Sequence, residues 1–175
     1  MMFPRRFFHR TTVNVPVETV WDLFTNHERM EEYTGTPCEI IKPGKGERNG
    51  LGCVRTVGVP EHGMPLVPEV VNFWEPNRVF GYHVLSGAPI SHHQGLVFMR
   101  SLGPRLTEYV YNMRLMALPS TLEAMPDFYA VLDRSFRQFM KNAEAECERR
   151  GSEDGLFRPP SQPVALSEQG GQLVE

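Results

Sequence analysis

The sequence predicts a single α+β domain in which a curved antiparallel sheet wraps around one long C-terminal helix. Three observations predict this fold class. The chain from Cys38 to Leu118 alternates short strand-like runs with turn residues. The segment from Pro126 to Arg150 repeats apolar side chains every three or four positions, as a helix buried on one face does. The 175 residues are enough for one ordinary core and too few for two.

A strand and two short helices are predicted first. Residues Phe8–Val15 alternate polar and apolar side chains, which is typical of a half-buried strand. Pro16 ends this strand and suits the first turn of a helix. Asn26 is a favourable cap for a second short helix that extends through Tyr33. The first of these helices has one apolar face, formed by Val17, Val20, Trp21 and Phe24.

Six further strands are predicted between Cys38 and Leu118. Glu75–Arg78 and Gly103–Pro104 have the composition of tight turns, so the strands on either side of each form hairpins. Consecutive hairpins imply an antiparallel meander, because parallel strands need helical crossovers. The predicted strands are Cys38–Lys42, Gly52–Val59, Pro68–Trp74, Val79–Leu85, Gln94–Ser101 and Leu106–Leu115.

The last predicted element is the long amphipathic helix. Ser120–Glu123 has the pattern of a capping box, and Pro126 restarts or kinks the helix after a turn. The residues expected to face the sheet are Phe128, Val131, Phe136 and Phe139. Such an aromatic stripe is usually plain core, and some of its members could also line a ligand cavity.

The composition changes after Arg150. The chain becomes rich in Gly, Pro and Ser, and such a segment buries too little apolar surface to offset its chain entropy. We therefore predict a domain at residues 1–150 and a flexible tail at residues 151–175. Leu156 and Phe157 are the exception, because they are apolar enough to fold back onto the domain.

Composition and charge exclude several classes of function. The net charge of −3 gives no general attraction to nucleic acid, and no stretch approaches the ~18 apolar residues of a membrane helix. We expect neither a nucleic-acid partner nor integral membrane association. The three cysteines are far apart and lack metal-ligand spacing, which predicts neither a disulfide framework nor a zinc site. A reducing, cytoplasmic location fits this pattern.

Five segments, taken in order, resemble a known superfamily. They are Val15–Phe24, Glu28–Tyr33, Gly50–Arg55, Glu69–Arg78 and Phe139–Glu144. In sequence and spacing they resemble the START-like superfamily, which has the helix-grip fold and includes polyketide cyclase/dehydrase-like proteins and the birch-pollen-allergen fold. The resemblance covers roughly Phe8 to Glu148. It implies the fold but no activity, because the superfamily hosts lipid carriers, hormone receptors, cyclases, dehydratases and co-chaperones.

Strand parity gives the candidate ligand-binding residues. Tyr109, Tyr111 and Met113 share one apolar face of a strand, which we place inward. Tyr82 lies on a strand whose inward face the sequence leaves open. Phenols suit a pocket that holds a ring and orients one polar atom, although they could simply pack. The aromatic candidates on the long helix are Phe128 and Phe136.

Charged residues on the strands are further candidates. Arg55 and Arg100 would bind a carboxylate or a polyketide oxygen if they point inward, although outward, solvated arginines are commoner. Glu69 has the same ambiguity.

His92 and His93 are the candidate catalytic residues. A neutral imidazole could act as general base in enolisation or dehydration. The favoured alternative is a pair of exposed loop histidines, because no residue that would perturb them can be named. Adjacent histidines on a strand point to opposite faces, which argues against a metal site. The sequence also lacks nucleophile-elbow, phosphate-loop and dinucleotide motifs, so we expect no cofactor.

The sequence therefore predicts binding of a hydrophobic or aromatic small molecule in a cavity between the sheet and the long helix. One alternative is a polyketide cyclase or dehydratase that uses general acid–base chemistry in the same cavity. A second alternative is a co-chaperone-type interaction module that uses the outer surface of the sheet. Whether the protein is an enzyme, which ligand it binds and how it oligomerises stay open at this point.

Overall fold

The computed structural model describes residues 4–36, 38–59 and 64–154. The chain begins with β1 (Arg5–Val13), α1 (Val17–Thr25), a 3-10 turn (His27–Arg29) and α2 (Glu31–Thr34). The strands β2 (Ile40–Lys42), β3 (Val54–Val59), β4 (Met64–Glu75), β5 (Val79–Val84), β6 (Ile90–Gly103) and β7 (Leu106–Ala117) follow. The chain continues with α3 (Pro119–Ala124) and α4 (Phe128–Asp154). No helix in these ranges has the length and apolarity to cross a membrane.

The strands form a seven-stranded antiparallel sheet in the order β1-β7-β6-β5-β4-β3-β2. The segment from β2 to β7 is a meander, as the hairpin signals predicted, and β1 pairs with β7 along its whole length. This sheet and the long helix α4 confirm the predicted helix-grip architecture. The face of the sheet that packs against α1 and α4 is called the inner face below, and the opposite face is the outer face.

The core lies between the inner face and the helices. On β7 the buried residues are Thr107, Tyr109, Tyr111, Leu115 and Ala117, which lie on the face that strand parity placed inward. Met113, which was predicted with them, is partly buried on the same face. On β5 the sequence left the face open, and the structure turns Phe80 and Tyr82 inward. From α4, the buried residues Phe128, Phe136, Met140, Ala143 and Cys147 fill the space above the sheet.

Helix α4 continues one turn beyond Arg150. Gly151 is buried so closely that an added Cβ would lie 2.4 Å from Cγ1 of Val15. Arg105 donates a hydrogen bond from Nη2 to the carbonyl oxygen of Gly151 over 2.7 Å. Residues 151–154, which the sequence assigned to the tail, therefore belong to the helix. The rest of the predicted tail, with Leu156 and Phe157, lies outside the described residues.

A buried ion-pair network fixes this end of α4. The Arg150 guanidinium is 2.7 Å from Asp22 on α1, 3.2 Å from Glu32 on α2 and 2.8 Å from Glu146 on α4 itself. Its side chain is only 7% exposed. Three carboxylates around one buried guanidinium join the C-terminal end of α4 to both short helices.

Two predicted caps are wrong. Asn26 does not cap the 3-10 turn, because its side-chain amide donates to Oδ1 of Asp22 instead. Ser120–Glu123 does not form a capping box, because α3 starts one residue earlier at Pro119, and Thr121 Oγ1 donates to the carbonyl oxygen of Pro89. A proline suits the first turn of a helix, where its missing N–H costs nothing.

Candidate ligand-binding site

A cavity of about 250 Å³ opens between α2, β3 and the N-terminal half of α4. Its apolar wall includes Met30, Val57 and Phe139. Its polar lining comes from the side chains of Thr34, Thr36, Ser135, Gln138 and Asn142. The cavity is slightly below the ~300–1,000 Å³ of typical ligand sites, so it suits a compact, mostly apolar molecule.

Behind this cavity, Arg55 lies buried on the inner face of β3. It is 2% exposed and stands directly opposite Glu69 of β4 in the strand register. Its Nη2 is 3.3 Å from Oε2 of Glu69, and its Nη1 donates to Nδ1 of His27 over 2.6 Å. The same Nη1 lies 3.2 Å from the sulfur of Met30, which also lines the cavity. Met30 therefore separates the buried guanidinium from the cavity.

Two aromatic rings also pack against the guanidinium of Arg55. The Cζ atom is 5.2 Å from the ring centroid of Phe80 and 5.0 Å from that of Tyr82. Both distances are within the range of cation–π attraction. Arg55 Nε is buried and has no hydrogen-bond partner among the described residues. One donor of this charged group is thus left unused inside the protein.

Burial controls the charges of the cluster. Burial, together with a smaller effect of the Arg55 charge, lowers the pKa of His27 to about 2. The imidazole is therefore neutral at pH 7 with its proton on Nε2, because Nδ1 accepts from Arg55. Burial raises the pKa of Glu69 to about 7, against the opposing effect of Arg55. Burial also disfavours the charged form of Arg55, but the neighbouring Glu69 keeps the pKa of Arg55 above its ordinary value.

A pair of phenols completes the site. The hydroxyls of Tyr82 on β5 and Tyr111 on β7 are hydrogen-bonded to each other. The ring of Tyr111 lies edge-on to Phe136 and Phe139 of α4, with centroids 5.5 and 5.8 Å apart. Burial raises the pKa of both tyrosines, so both phenols stay protonated at neutral pH. Phe139 contacts Tyr111 and also lines the cavity, so one side chain links the cavity to the phenol pair.

His93 lies beside the phenol pair. It is half-buried on the inner side of β6, and its ring centroid is 5.5 Å from that of Tyr82. Its Nδ1 accepts the backbone N–H of Val84 over 3.3 Å. Burial lowers the pKa of His93 to about 4, with smaller effects from the nearby His83, His92 and Arg55. The imidazole is therefore neutral at pH 7.

The comparisons with known proteins concern this fold. No protein-family model matches the sequence, and no curated protein does. The Zhui aromatase/cyclase from Streptomyces sp. R1128 superposes with a TM-score of 0.71 at 22% identity, covering 85% of this chain and 96% of that one. A START superfamily protein from Mycobacterium smegmatis gives 0.69 at 15% identity, covering 83% and 98%. Truncated norcoclaurine synthase from Thalictrum flavum gives 0.62 at 9% identity, covering 81% and 92%.

The chain has the START-like fold. The matches extend over more than nine-tenths of each solved chain, so the whole domain is shared and not one motif. At these identities the likeness shows the fold alone, and the function of the START-like domain has to be argued from its own residues.

The START-like fold brings only part of the predicted site together. Arg55, Tyr82, Tyr111 and Phe136 meet around the phenol pair, as described above. Arg100 does not join them, because its parity on β6 is opposite to that of the buried Met99. Its side chain is 67% exposed on the outer face and pairs with Glu108 over 3.1 Å.

The other predicted residues lie at the edges of this cluster or away from it. Tyr109 is fully buried, and its ring stands edge-on to Phe24 at 5.2 Å. Met113 and Phe128 pack against the core. His92 is exposed, and His93 is turned inward, as neighbouring strand positions must be. The predicted loop around these histidines is wrong, because β6 begins at Ile90 and pairs both of them with β7.

Sequence reasoning missed some members of the site. His27 follows α1 and has no motif around it, so only the three-dimensional structure brings it to Arg55. Met30 and Phe139 look like ordinary core residues in the sequence. Glu69 and Arg55 were left ambiguous, yet a signal was present, because Glu69 shares its strand parity with the buried Val67 and Val71. Within the described ranges, no three His, Cys, Asp or Glu side chains are grouped to hold a metal ion.

Proposed function

We propose that this START-like domain binds a compact aromatic or otherwise apolar small molecule that carries at least one polar oxygen. The observation that carries the proposal is the buried Arg55 near the cavity, whose Nε–H has no partner among the described residues. Burying a charge costs several kcal/mol even when it is paired, and apolar residues would serve packing better. A charged group kept inside next to a cavity is therefore better explained by a ligand than by stability.

The surroundings of Arg55 define how such a ligand would lie. Its apolar body would contact Val57 and Phe139. Its oxygen would reach Arg55 and the phenol pair once the Met30 side chain, which separates the guanidinium from the cavity, has moved aside. Two hydroxyls bonded to each other share one hydrogen, which leaves one O–H free to donate. Arg55, Tyr82 and Tyr111 are therefore the proposed polar contacts.

The cytoplasmic location stays a prediction.

A probe titration tests this function. The fluorescent probe 1-anilinonaphthalene-8-sulfonate has fused aromatic rings and an anionic oxygen group. We expect Arg55→Met to weaken its binding about 10- to 100-fold, because a charged hydrogen bond is worth about 1.5–3 kcal/mol. The Arg100→Met variant is the matched control and should bind like the wild type. Circular dichroism on the same samples excludes loss of fold as the cause. Equal binding by both variants would contradict the proposal.

The phenols give a smaller effect in the same titration. Removing one neutral hydrogen bond costs about 0.5–1.5 kcal/mol, so Tyr111→Phe should weaken binding about 2- to 10-fold. Tyr111→Ala should weaken it more, since packing area is also lost. Tyr109→Phe is the comparison, because the Tyr109 hydroxyl is buried and has no hydrogen-bond partner among the described residues. An unchanged affinity for both Tyr111 variants would remove the phenols from the site.

A second candidate is the polyketide cyclase or dehydratase, and one observation favours it. The neutral His93 lies against Tyr82, within reach of the same ligand. The neutral ring accepts the Val84 N–H at Nδ1 and carries its hydrogen on Nε2, so in such a reaction Nδ1 would exchange that hydrogen bond for a proton taken from a carbon between two carbonyls. Arg55 would stabilise the enolate oxygen. The similarity to a protein named aromatase/cyclase supports this candidate through the fold only.

Turnover of a synthetic poly-β-keto thioester tests the second candidate. His93→Gln should lower the rate about 100-fold while leaving affinity similar, and the exposed His92→Gln is the control. The base acts in its neutral form, so the rate should fall as the pH decreases through about 4. If both variants keep the wild-type rate, or if the wild type has none, the binding function alone stands.

A further inference from the structure

Gly95 lies between the two tyrosines of the site. Tyr82 and Tyr111 are on β5 and β7, with β6 between them, so their backbones are about 10 Å apart. Their hydroxyls are nevertheless hydrogen-bonded, and their ring centroids are 6.5 Å apart. The β6 residue directly opposite Tyr82 is Gly95, which shares its inward parity with Val97. The ring of Tyr82 therefore crosses β6 over a residue that has no side chain.

The space above Gly95 is filled by Tyr82. A Cβ atom added at Gly95 would lie 2.4 Å from Cζ of Tyr82 and 2.8 Å from its hydroxyl oxygen. Contacts this short do not occur, so an added methyl group would push the ring away. The added methyl group would clash with the end of the Tyr82 ring that carries the hydroxyl, so the phenol oxygen would move as well.

The backbone itself does not require glycine at this position. Among the described residues, the glycines with positive φ are Gly35, Gly46, Gly52, Gly58 and Gly87, and Gly95 is not one of them. Glycine inside a strand weakens it, since there is no side chain to pack, and it often marks close approach of another group. Here the approaching group is the Tyr82 ring.

We propose that Gly95 is a positioning and specificity-determining residue of the site. It directs Tyr82 across β6 to Tyr111, and so it fixes the phenol pair that orients the ligand oxygen. The same placement puts the Tyr82 ring 5.0 Å from Arg55 and 5.5 Å from His93. A side chain at position 95 would break these contacts together. The role in ligand selection rests on the proposed function, but the role in building the phenol pair does not.

Raman spectroscopy of the tyrosines tests the positioning role without any ligand. The intensity ratio of the tyrosine doublet reports hydrogen bonding of the phenols. Tyr82→Phe gives the change expected when the pair is missing from a chain of five tyrosines. Gly95→Ala should change the spectrum in the same direction. Gly103→Ala is the control on the same strand as Gly95, because its Cβ would meet only Leu106 Cβ, at 4.0 Å. An unchanged doublet in Gly95→Ala would overturn the proposal.

A double-mutant cycle separates the ring clash from a general effect on the strand. Gly95→Ala should lower the melting temperature by about 5 °C. In a Tyr82→Leu background the ring is gone, so the same substitution should lower the melting temperature by much less. Equal losses in both backgrounds would show that Tyr82 does not require the glycine, and the proposal would fail.

Probe binding decides the specificity role. Gly95→Ala should weaken 1-anilinonaphthalene-8-sulfonate binding about fivefold, as loss of one neutral hydrogen bond would. If the doublet changes and the affinity does not, while Arg55→Met still weakens binding, the specificity role fails and the proposed function stands. If the wild type does not bind the probe, the proposed function fails, and the doublet alone decides the positioning role.

Discussion

Two arginine–glutamate pairs occupy opposite faces of the same sheet. Arg55 and Glu69 are direct cross-strand partners on β3 and β4, and Arg100 and Glu108 are direct partners on β6 and β7. The side chains of the first pair are 3% and 7% exposed, and those of the second are 67% and 15% exposed. Identical chemistry and identical pairing thus give opposite environments, because strand parity alone decides the face.

The environment decides what each pair contributes. The outer pair is screened by water and salt, and Glu108 shares its charge with Arg10 as well. The inner pair is desolvated, so each charge depends on the other and on the neutral His27. Buried ion pairs are often neutral or destabilising compared with apolar residues of similar volume, so we infer a functional reason for keeping this one.

The largest expected effect comes from breaking the inner pair. Glu69→Leu leaves the Arg55 charge buried without its partner, and a guanidinium cannot lose its proton at accessible pH. We expect a loss of about 3–5 kcal/mol in the free energy of unfolding, measured by urea denaturation. Adding Arg55→Met should restore most of the loss, because the buried charge is then gone. Glu108→Leu is the outer control, and an equal effect of the two single variants would contradict the comparison.

A smaller difference in stability is expected between aromatic residues on the inner and outer sides of the sheet. Phe136 is 8% exposed and packs against Phe7 and Tyr111, and Phe98 is 43% exposed on the outer face. Phe136→Ala should lose about 3 kcal/mol, which is near the lower end for a buried phenylalanine. Phe98→Ala should lose about 1 kcal/mol or less. Thermal unfolding of both variants checks this, and similar losses would show that the α4 face has been misassigned.

The sequence predicted the two faces well where polarity alternates and poorly where it does not. On β7 the apolar set identified the inner face correctly. On β5 both Val79 and Phe80 are buried, so no polar side marks the outer face and the choice stayed open. His27 and Arg55 are 28 positions apart in the sequence, and no local pattern predicts their contact. Strand parity predicts the direction of a side chain, but not its partners from other elements.

The smallest effect, counted per pH unit, is a pH dependence of stability. The pKa of His27 is lowered to about 2 in the folded protein, against about 6.5 in the unfolded chain. Its contribution to stability is therefore present above pH ~6.5 and is lost as the pH falls towards ~2. The contribution of Glu69 has the opposite sign, because its pKa is raised: it is present below pH ~4.5 and is lost as the pH rises through ~7.

Replacing His27 isolates its contribution to the pH dependence of the unfolding free energy. His27→Asn keeps an acceptor for Arg55 and removes the titrating ring. Between about pH 6.5 and 4 its unfolding free energy should fall less steeply than that of the wild type, by up to about 1.4 kcal/mol per pH unit. His92→Gln, on an exposed position, should leave the slope unchanged. Parallel slopes for the wild type and His27→Asn in urea denaturation would contradict the assignment.

Because of the Arg150 network, the C-terminal half of α4 is held by more tertiary contacts than the N-terminal half. The C-terminal end is tied to α1, α2 and the β6–β7 turn, whereas Ser135, Gln138 and Phe139 of the other half border the cavity. Local opening of a helix starts where the fewest contacts must break. Amide protons should therefore exchange faster around Ser135 than around Glu146. For the proposed ligand, we therefore expect the way into the site to lie past the N-terminal half of α4, through local opening of this helix while the rest of the domain stays folded.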